Sequence, residues 1–589
     1  MKSISSRVSR QTLLCALTAF LLLAFGSVSY SAETKSYAEG FSFGQSHRKA
    51  VEDNVGAMLE KARDKHVDMR PVIESALESE ALYKEILPEK VDWLKGVAAG
   101  SGVAYENLLV FNTNNRMATG FSGECTTFMA QGKALASGKG TIITKNRDLG
   151  TKTLSEVDCR EAAAHPRGAV YKAAYINIPE QEKTCKFIGS RSAGRWGYGM
   201  GVNEYQVIVS DNDAPSRDTL AFEKGLHDND LVRLVLERAK TARQGVDVIA
   251  ALVPEFGQAW NGIMFEIGDP NELWVVAITG PRWVAKRYTD TVTARSNQYE
   301  IGDDYDLASP DLVGFAVKQG WVPAGTKRIN FTKVYSTDEL YPEDNDLQKR
   351  HKAESMYNTE IRYQRAMELL KGKEGRLQPE DFMAFARDHF DTYTLPGGKV
   401  IDMHQTPFYS SGQMEWKEWL TSEPERATTD KNMFIRAICH HGVEDATAAS
   451  AVMMARPGVP NELGYMLHAF MQPCNSVYVP FYVGITDVDN RFKGPEAAAA
   501  YQNIAARAFT RYTDYHAVIR KAFDPFEASL FKDMAQAEAL FMKTAKNGQH
   551  DEAVTGLTDF VRDKSIQAFN LAGVAQDNIT KAAVDSSSW

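Results

Sequence analysis

Gly123-Glu-Cys-Thr-Thr-Phe-Met-Ala130, followed by Thr141-Ile-Ile-Thr-Lys-Asn-Arg-Asp148, is the stretch on which the fold of this chain turns. Both runs are β-prone, and the loop between them, Gly132-Lys-Ala-Leu-Ala-Ser-Gly-Lys-Gly140, holds three glycines that permit positive φ. The spacing predicts a β-hairpin. A turn centred near Leu135 sets Cys125 opposite Lys145, a thiol facing a cation, with Arg147 and Asp148 at the far end. A free cysteine is more often a small core residue than a nucleophile, and the residues alone leave both readings open.

The chain has 589 residues, 44% of them hydrophobic, enough for a large core and two to four domains. Its net charge is −9 and its pI about 5.8, with no basic block to follow a phosphate backbone, so nucleic acid is not an expected partner. Lys2, Arg7 and Arg10 precede an apolar run over 12–25, and small residues follow at Gly26, Ser27, Ser29, Ser31 and Ala32. This is the pattern of a signal peptide cleaved near Ser31 or Ala32, which predicts a periplasmic or secreted protein. No later stretch has eighteen uninterrupted apolar residues, so no membrane span is expected in the mature form.

Export permits disulfides. Beyond Cys15 the cysteines are Cys125, Cys159, Cys185, Cys439 and Cys474. Pairing Cys159 with Cys185 and Cys439 with Cys474 would leave Cys125 as the single thiol; four free buried cysteines are the alternative.

Between Tyr37 and Glu124 the pattern is helical, with Val51, Val55, Met58, Leu59 and Ala62 on one face. A second helix is expected to open at Leu87-Pro88 with Val91, Leu94 and Val97 inward and to break at Gly100-Ser-Gly102; a short third carries Leu108 and Leu109. Strands are predicted over 169–178, 199–210, 262–267, 273–279, 284–287 and 476–485. Helices are predicted over 228–240, 360–371 and 382–389. This order suggests layered α+β rather than alternating βαβ units. From Pro495 the chain reads as alanine-rich helix, with Pro525 separating one helix from the next. That tail suits wrapping the core or a dimer contact, so homo-oligomerisation stays open.

Gly-Glu-Cys-Thr-Thr-Phe, with Lys-Asn-Arg-Asp some twenty residues on, resembles the start of the mature chain in cysteine N-terminal-nucleophile hydrolases. The match is to the dipeptidase A family. Asp230-Leu-Val-Arg-Leu-Val-Leu-Glu-Arg-Ala239 and Ile435-Arg-Ala-Ile-Cys-His440 extend it, so that it covers roughly 125–485. The upstream region instead resembles the prosegment of the acyl-coenzyme A:6-aminopenicillanic acid acyl-transferase family. The resemblance implies a four-layer αββα sandwich, with a signal peptide over 1–32, a helical prosegment over 33–124, a catalytic domain over 125–490 and a helical extension over 491–589.

It also implies roles. Cutting the bond between Glu124 and Cys125 would free the α-amine of Cys125, whose reference pKa of about 7.7–8.0 suits proton exchange with the thiol. Asp148 would hold the new α-ammonium. Asn203, in Gly-Val-Asn-Glu, would donate to the oxyanion. Asn297, in Arg-Ser-Asn-Gln, would position nucleophile and substrate, and Arg362, where bile-salt-hydrolase relatives carry Ser-Arg-x-x-Arg-Ala, would support the nucleophile. Lys145 stands where relatives often have arginine, so a point charge replaces a planar fork. Lys145, Arg147 and Arg295 are candidates for a substrate carboxylate, and Asp211, Asp213 or Glu204 for its ammonium.

No His-Glu-x-x-His or paired Cys-x-x-Cys occurs, and side chains of the adjacent His440 and His441 diverge on any regular element. Neither metal nor cofactor is expected. The expected activity is dipeptide hydrolysis through Cys125. The alternatives are an acylase or acyl-transferase acting on another N-acyl amide, and a silent exported binding protein that keeps the fold.

Overall fold

The computed structural model describes residues 34–587 except 65, 114–124, 165–169, 173–176, 180–182, 219–225, 259–261, 337–358, 360–361, 390–391, 395–399, 403–436 and 442–444. The expected signal peptide and Glu124 lie outside the described residues, as does part of the strand expected over 169–178.

Two antiparallel sheets form the centre. Their strands are β1 (Cys125–Gln131), β2 (Thr141–Gly150), β3 (Ser155–Arg160), β4 (Phe187–Ser192), β5 (Met200–Asn203), β6 (Ile208–Asp213) and β7 (Gly262–Gly268). There follow β8 (Leu273–Thr279), β9 (Arg282–Tyr288), β10 (Val292–Arg295), β11 (Leu307–Ala308), β12 (Asp445–Ala455), β13 (Tyr465–Phe470) and β14 (Val479–Tyr482). One sheet has the order β10-β1-β2-β12-β13-β14, and the other is a meander, β11-β9-β8-β7-β6-β5-β4-β3.

The hairpin forms as expected, with Gly132, Gly138 and Gly140 at φ of 64°, 67° and 92°. Its register differs. Cys125 pairs with Arg147 and Thr127 with Lys145, because the turn centres one residue later, at Ala136. A two-residue shift preserves facing, so Lys145 stays on the side of Cys125 as its diagonal neighbour.

Helices α1 (Lys35–Ser46), α2 (Arg48–Asp64), α3 (Met69–Ile86), α4 (Pro88–Ser101) and α5 (Tyr105–Thr113) precede the sheets, and α6 (Asp228–Arg238) and α7 (Ala242–Phe256) follow β6. Later come α8 over 362–373, α9 (Pro379–Ala386), α10 (Pro495–Thr510), α11 (Tyr512–Lys546) and α12 (His550–Ser587). α6 and α7 cover the meander, while α9, α10 and α12 cover the other sheet and β1 and β2 pack across on β6. The order of layers is αββα.

β8 shows why its sequence is apolar throughout. Leu273, Val275 and Ala277 enter the core between the sheets, whereas Trp274, Val276 and Ile278 enter a second core beneath the helices. That second core also takes Val51, Val55, Val91, Leu94, Val97, Leu108 and Leu109, so α2, α4 and α5 share one interior with the meander and α6. α1 and α4 touch backbone to backbone. A Cβ on Gly40 or Gly44 would strike the carbonyls of Trp93 or Val97, and one on Gly96 or Gly100 those of Tyr37 or Phe41.

One expectation is corrected, and of the two cysteine alternatives the free thiols are found. α11 runs unbroken through Pro525, and the chain instead breaks at Arg511 (φ −152°, ψ 63°). Packing of this long helix along α12 outweighs the roughly 3 kcal/mol that an interior proline costs. None of the five cysteines from Cys125 onward is in a disulfide. Cys159 Sγ contacts the Ile485 carbonyl at 3.5 Å and Cys185 Sγ the Ala239 carbonyl at 3.8 Å, so these thiols are directed at different neighbours.

Candidate active site

Cys125 opens β1 at an edge where three separate parts of the chain meet its backbone. Its amide N–H donates to Asn297 Oδ1 at 2.9 Å. Its carbonyl accepts from Arg362 Nη1 at 2.7 Å and from Asn212 Nδ2 at 3.2 Å. Arg362 also donates from Nη1 to Thr126 Oγ1 and from Nη2 to Asn297 Oδ1, both at 2.9 Å. The planar guanidinium therefore spans three acceptors, two of which belong to neighbouring residues of one strand.

The two asparagines are fixed in turn. Asn297 Nδ2 donates to the Asp213 carbonyl at 3.0 Å, leaving its oxygen aimed at Cys125. Asn212 Nδ2 donates also to the Ser296 carbonyl at 3.1 Å, and its oxygen accepts from Thr127 Oγ1 at 2.7 Å. These bonds determine which end of each amide faces Cys125.

β2 alternates its side chains between the two sides of its sheet. Asn146 donates to the carbonyls of Ala386 at 2.8 Å and Ile438 at 2.7 Å. Lys145 and Arg147 turn the other way. Lys145 Nζ pairs with Asp211 Oδ1 at 2.8 Å and also donates to the Asp211 carbonyl. Arg147 donates to Ser192 Oγ at 3.3 Å and Asn229 Oδ1 at 3.0 Å. Asp148 Oδ1 accepts from Thr447 Oγ1 at 2.7 Å, beside the register shift between Thr447 and Ala449. Such bulges re-aim a side chain without ending the strand.

The thiol is buried, and desolvation pushes its pKa above the usual value; Lys145 is the strongest opposing influence, Asp148 and Asp211 add to the rise, and Arg147 lowers it. At neutral pH the thiol is therefore the stable form. Lys145 and Asp211 act also on Glu266, which accepts from Ser210 Oγ at 2.6 Å and whose carboxyl burial raises to about 7.

Of the residues singled out in the sequence, Cys125, Asn297 and Arg362 converge, and Lys145, Arg147 and Asp148 lie close enough for Lys145, Asp148 and Arg147 to act on the thiol electrostatically. Asn203 does not join them. Its Nδ2 donates to the carbonyls of Leu236 at 3.0 Å and Ala239 at 2.6 Å, and its Oδ1 accepts from the amides of Tyr205 and Val207. It closes the turn after β5 and ties it to α6, so both N–H groups are spent and no donor remains for an oxyanion. The asparagine that does donate to Cys125 is Asn212. Its signal was the polar run Ser210-Asp-Asn-Asp213 continuing the apolar Val207-Ile-Val209 on a buried strand.

Most of the expected substrate charges are also committed internally. Lys145 and Asp211, assigned to opposite ends of a substrate, neutralise each other. Arg295 is buried against Tyr288 and Thr293, and Glu204 caps the Lys186 amide at 3.1 Å.

The αββα layers are those that the resemblance to N-terminal-nucleophile hydrolases implied. The family model described as Peptidase family C69 matches residues 124–528, and the chain belongs to that family. A "Probable dipeptidase" of Salmonella dublin is 24% identical over 390 residues, 61% of this chain and 81% of that protein. A "Probable dipeptidase" of Latilactobacillus sakei is 23% identical over 395 residues, covering 63% and 76%. A mutant conjugated bile acid hydrolase from Clostridium perfringens aligns over 61% of this chain and 92% of its own at 10% identity, but its TM-score of 0.26 carries no weight.

Proposed function

We propose that the protein is an exported, self-processing cysteine dipeptidase whose nucleophile is Cys125. The observation that carries this reading is the convergence of Asn297, Arg362 and Asn212 on the backbone of one cysteine at the start of a strand. An ordinary core thiol needs no such restraint. Membership of a peptidase family and likeness to probable dipeptidases support the substrate class. The basic and apolar N-terminal pattern supports export.

In this reading the bond between Glu124 and Cys125 is cut after folding. The freed α-amine stays at the Asn297 oxygen, where it can take the thiol proton directly or through water. Lys145 stabilises the thiolate as it forms. The thiolate attacks the peptide carbonyl, the amine component leaves with a proton, and water releases the acyl group from sulfur. Asp148, whose charge reaches Cys125, would stabilise the ammonium as it forms.

A matched series of one dipeptide, free, N-acetylated and C-amidated, tests the substrate class. The free dipeptide should be cleaved fastest, with kcat/KM lower by about tenfold or more for each blocked end. Equal rates on all three, or preference for a long acyl chain, would replace the dipeptidase by an amide acylase.

A further inference from the structure

Away from Cys125, four potential metal ligands from three parts of the chain meet in one buried place. They are His389, just after α9; Cys439 and His441, in the segment before β12; and Cys474, in the 3-10 turn Pro473–Asn475. One ligand atom from each lies within 4.8 Å of all the others. We propose that they form a structural zinc site of the Cys2His2 type.

The geometry points to a cation. His441 Nε2 faces His389 Nε2 at 3.1 Å, Cys474 Sγ at 3.1 Å and Cys439 Sγ at 3.6 Å. One ring nitrogen offers a single proton or a single lone pair, so protons alone cannot make three such contacts favourable together. A tetrahedral ion can. With Zn–N near 2.0–2.1 Å and Zn–S near 2.3 Å, the edges of the tetrahedron are roughly 3.3–3.8 Å. The observed separations are close to those edges. Two thiolates and two neutral imidazoles match the softness of zinc, and the thiols lose two protons as the ion binds, leaving a neutral centre.

The surroundings suit a closed structural site. Tyr512 stands edge-on to both rings, with centroids 5.2 Å from His441 and 5.6 Å from His389. All four donors come from protein, so no position is left for substrate. The adjacent His440 does diverge from His441, as its neighbour position requires, and reaches Asp445 Oδ1 at 3.2 Å. No sequence motif marks the site, because Cys439 and His441 stand two residues apart while His389 and Cys474 come from 52 and 33 residues away.

The site would brace the Cys125 region from both sides. The Cys439 amide donates to the Asp388 carbonyl at 3.1 Å, and the Asp388 carboxylate pairs with Arg365, on α8 with Arg362. The Ile438 carbonyl receives Asn146, and the His440 amide donates to Thr447 Oγ1, the hydroxyl that holds Asp148.

The test is the zinc content of the purified full chain after gel filtration in metal-free buffer, measured by plasma mass spectrometry. About one zinc per chain is expected in the wild type, and a loss of most of it in both Cys474→Ser and His389→Gln. Cobalt added to reduced, chelator-treated wild type should give thiolate-to-metal charge-transfer and tetrahedral d–d bands, a readout independent of whether the variants fold. Zinc absent from the native protein, zinc retained by both variants, or no such cobalt bands would overturn the proposal. So would a Cys439–Cys474 disulfide found by peptide mapping of native protein, whatever the reduced protein binds.

Discussion

Arg362 holds the carbonyl oxygen of Cys125 at 2.7 Å across 237 residues of chain, and the same guanidinium holds Asn297 Oδ1 at 2.9 Å. The oxygen that receives the Cys125 amide is thus itself fixed by the residue that fixes the Cys125 carbonyl. One side chain sets both ends of the candidate nucleophile.

Replacing it should therefore cost more than a charge. Lysine keeps the charge but cannot span three acceptors. In Arg362→Lys the processed fraction should fall, and kcat/KM on a free dipeptide should drop by about a hundredfold or more, the equivalent of one or two charged hydrogen bonds. Intact mass and steady-state rates measure both. Wild-type processing and turnover would remove Arg362 from the mechanism.

Lys145 should act on the thiol through space. Removing it alone strands Asp211 in the interior, so the informative protein is Lys145→Met combined with Asp211→Asn, which removes the pair. With the main influence opposing burial gone, the pH profile of iodoacetamide labelling at Cys125 should move to higher pH. An unmoved profile would show that the cation does not support the thiolate.

Much of this arrangement was legible in the sequence, and its gaps have physical causes. The hairpin was readable because Gly132, Gly138 and Gly140 announce positive φ, but a turn of this length does not reveal its centre, hence the register shift of two. Asn203 and Asn212 lie in neighbouring strands and both are buried, and sequence cannot say which amide reaches Cys125. Asn203 is consumed by its own turn. The charges around Lys145 read as substrate ligands because each was considered alone, whereas burial obliges Lys145 and Asp211 to pair. Pro525 likewise could not announce that tertiary packing overrides its local preference.

Glu266 gives a pH signature. Its carboxyl is raised from 4.5 to about 7 by burial, so between these values the folded protein holds a proton that the unfolded chain has released. Stability must fall as pH rises through that window and level off above it, by at most on the order of 3 kcal/mol for this group. Glu266→Gln should flatten that decline, raising the thermal midpoint relative to wild type at pH 8 but not at pH 4.5. Parallel pH profiles would contradict it.

After cleavage the helical segment should stay attached. Val51, Val55, Leu94 and Leu108 are buried in the same core as Phe187, Val209 and Leu231, each such side chain contributing ~1.5–3 kcal/mol. Lys90, wholly buried, pairs with Asp230, which also accepts from Tyr83 Oη at 2.6 Å. Native mass spectrometry should show both chains together. Lys90→Met strands Asp230 and should weaken the complex by ~3–5 kcal/mol, whereas Lys90→Met with Asp230→Leu should recover part of that loss. Separation of the wild-type chains in plain buffer would refute the shared core.

The central claim is that Cys125 works with its own freed α-amine. Mass spectrometry of the N-termini in purified, active protein tests it most directly. The account predicts a chain beginning Cys-Thr-Thr-Phe in the wild type and an uncut bond at this position in Cys125→Ala. Full dipeptidase activity from protein in which Glu124 remains joined to Cys125 would contradict it.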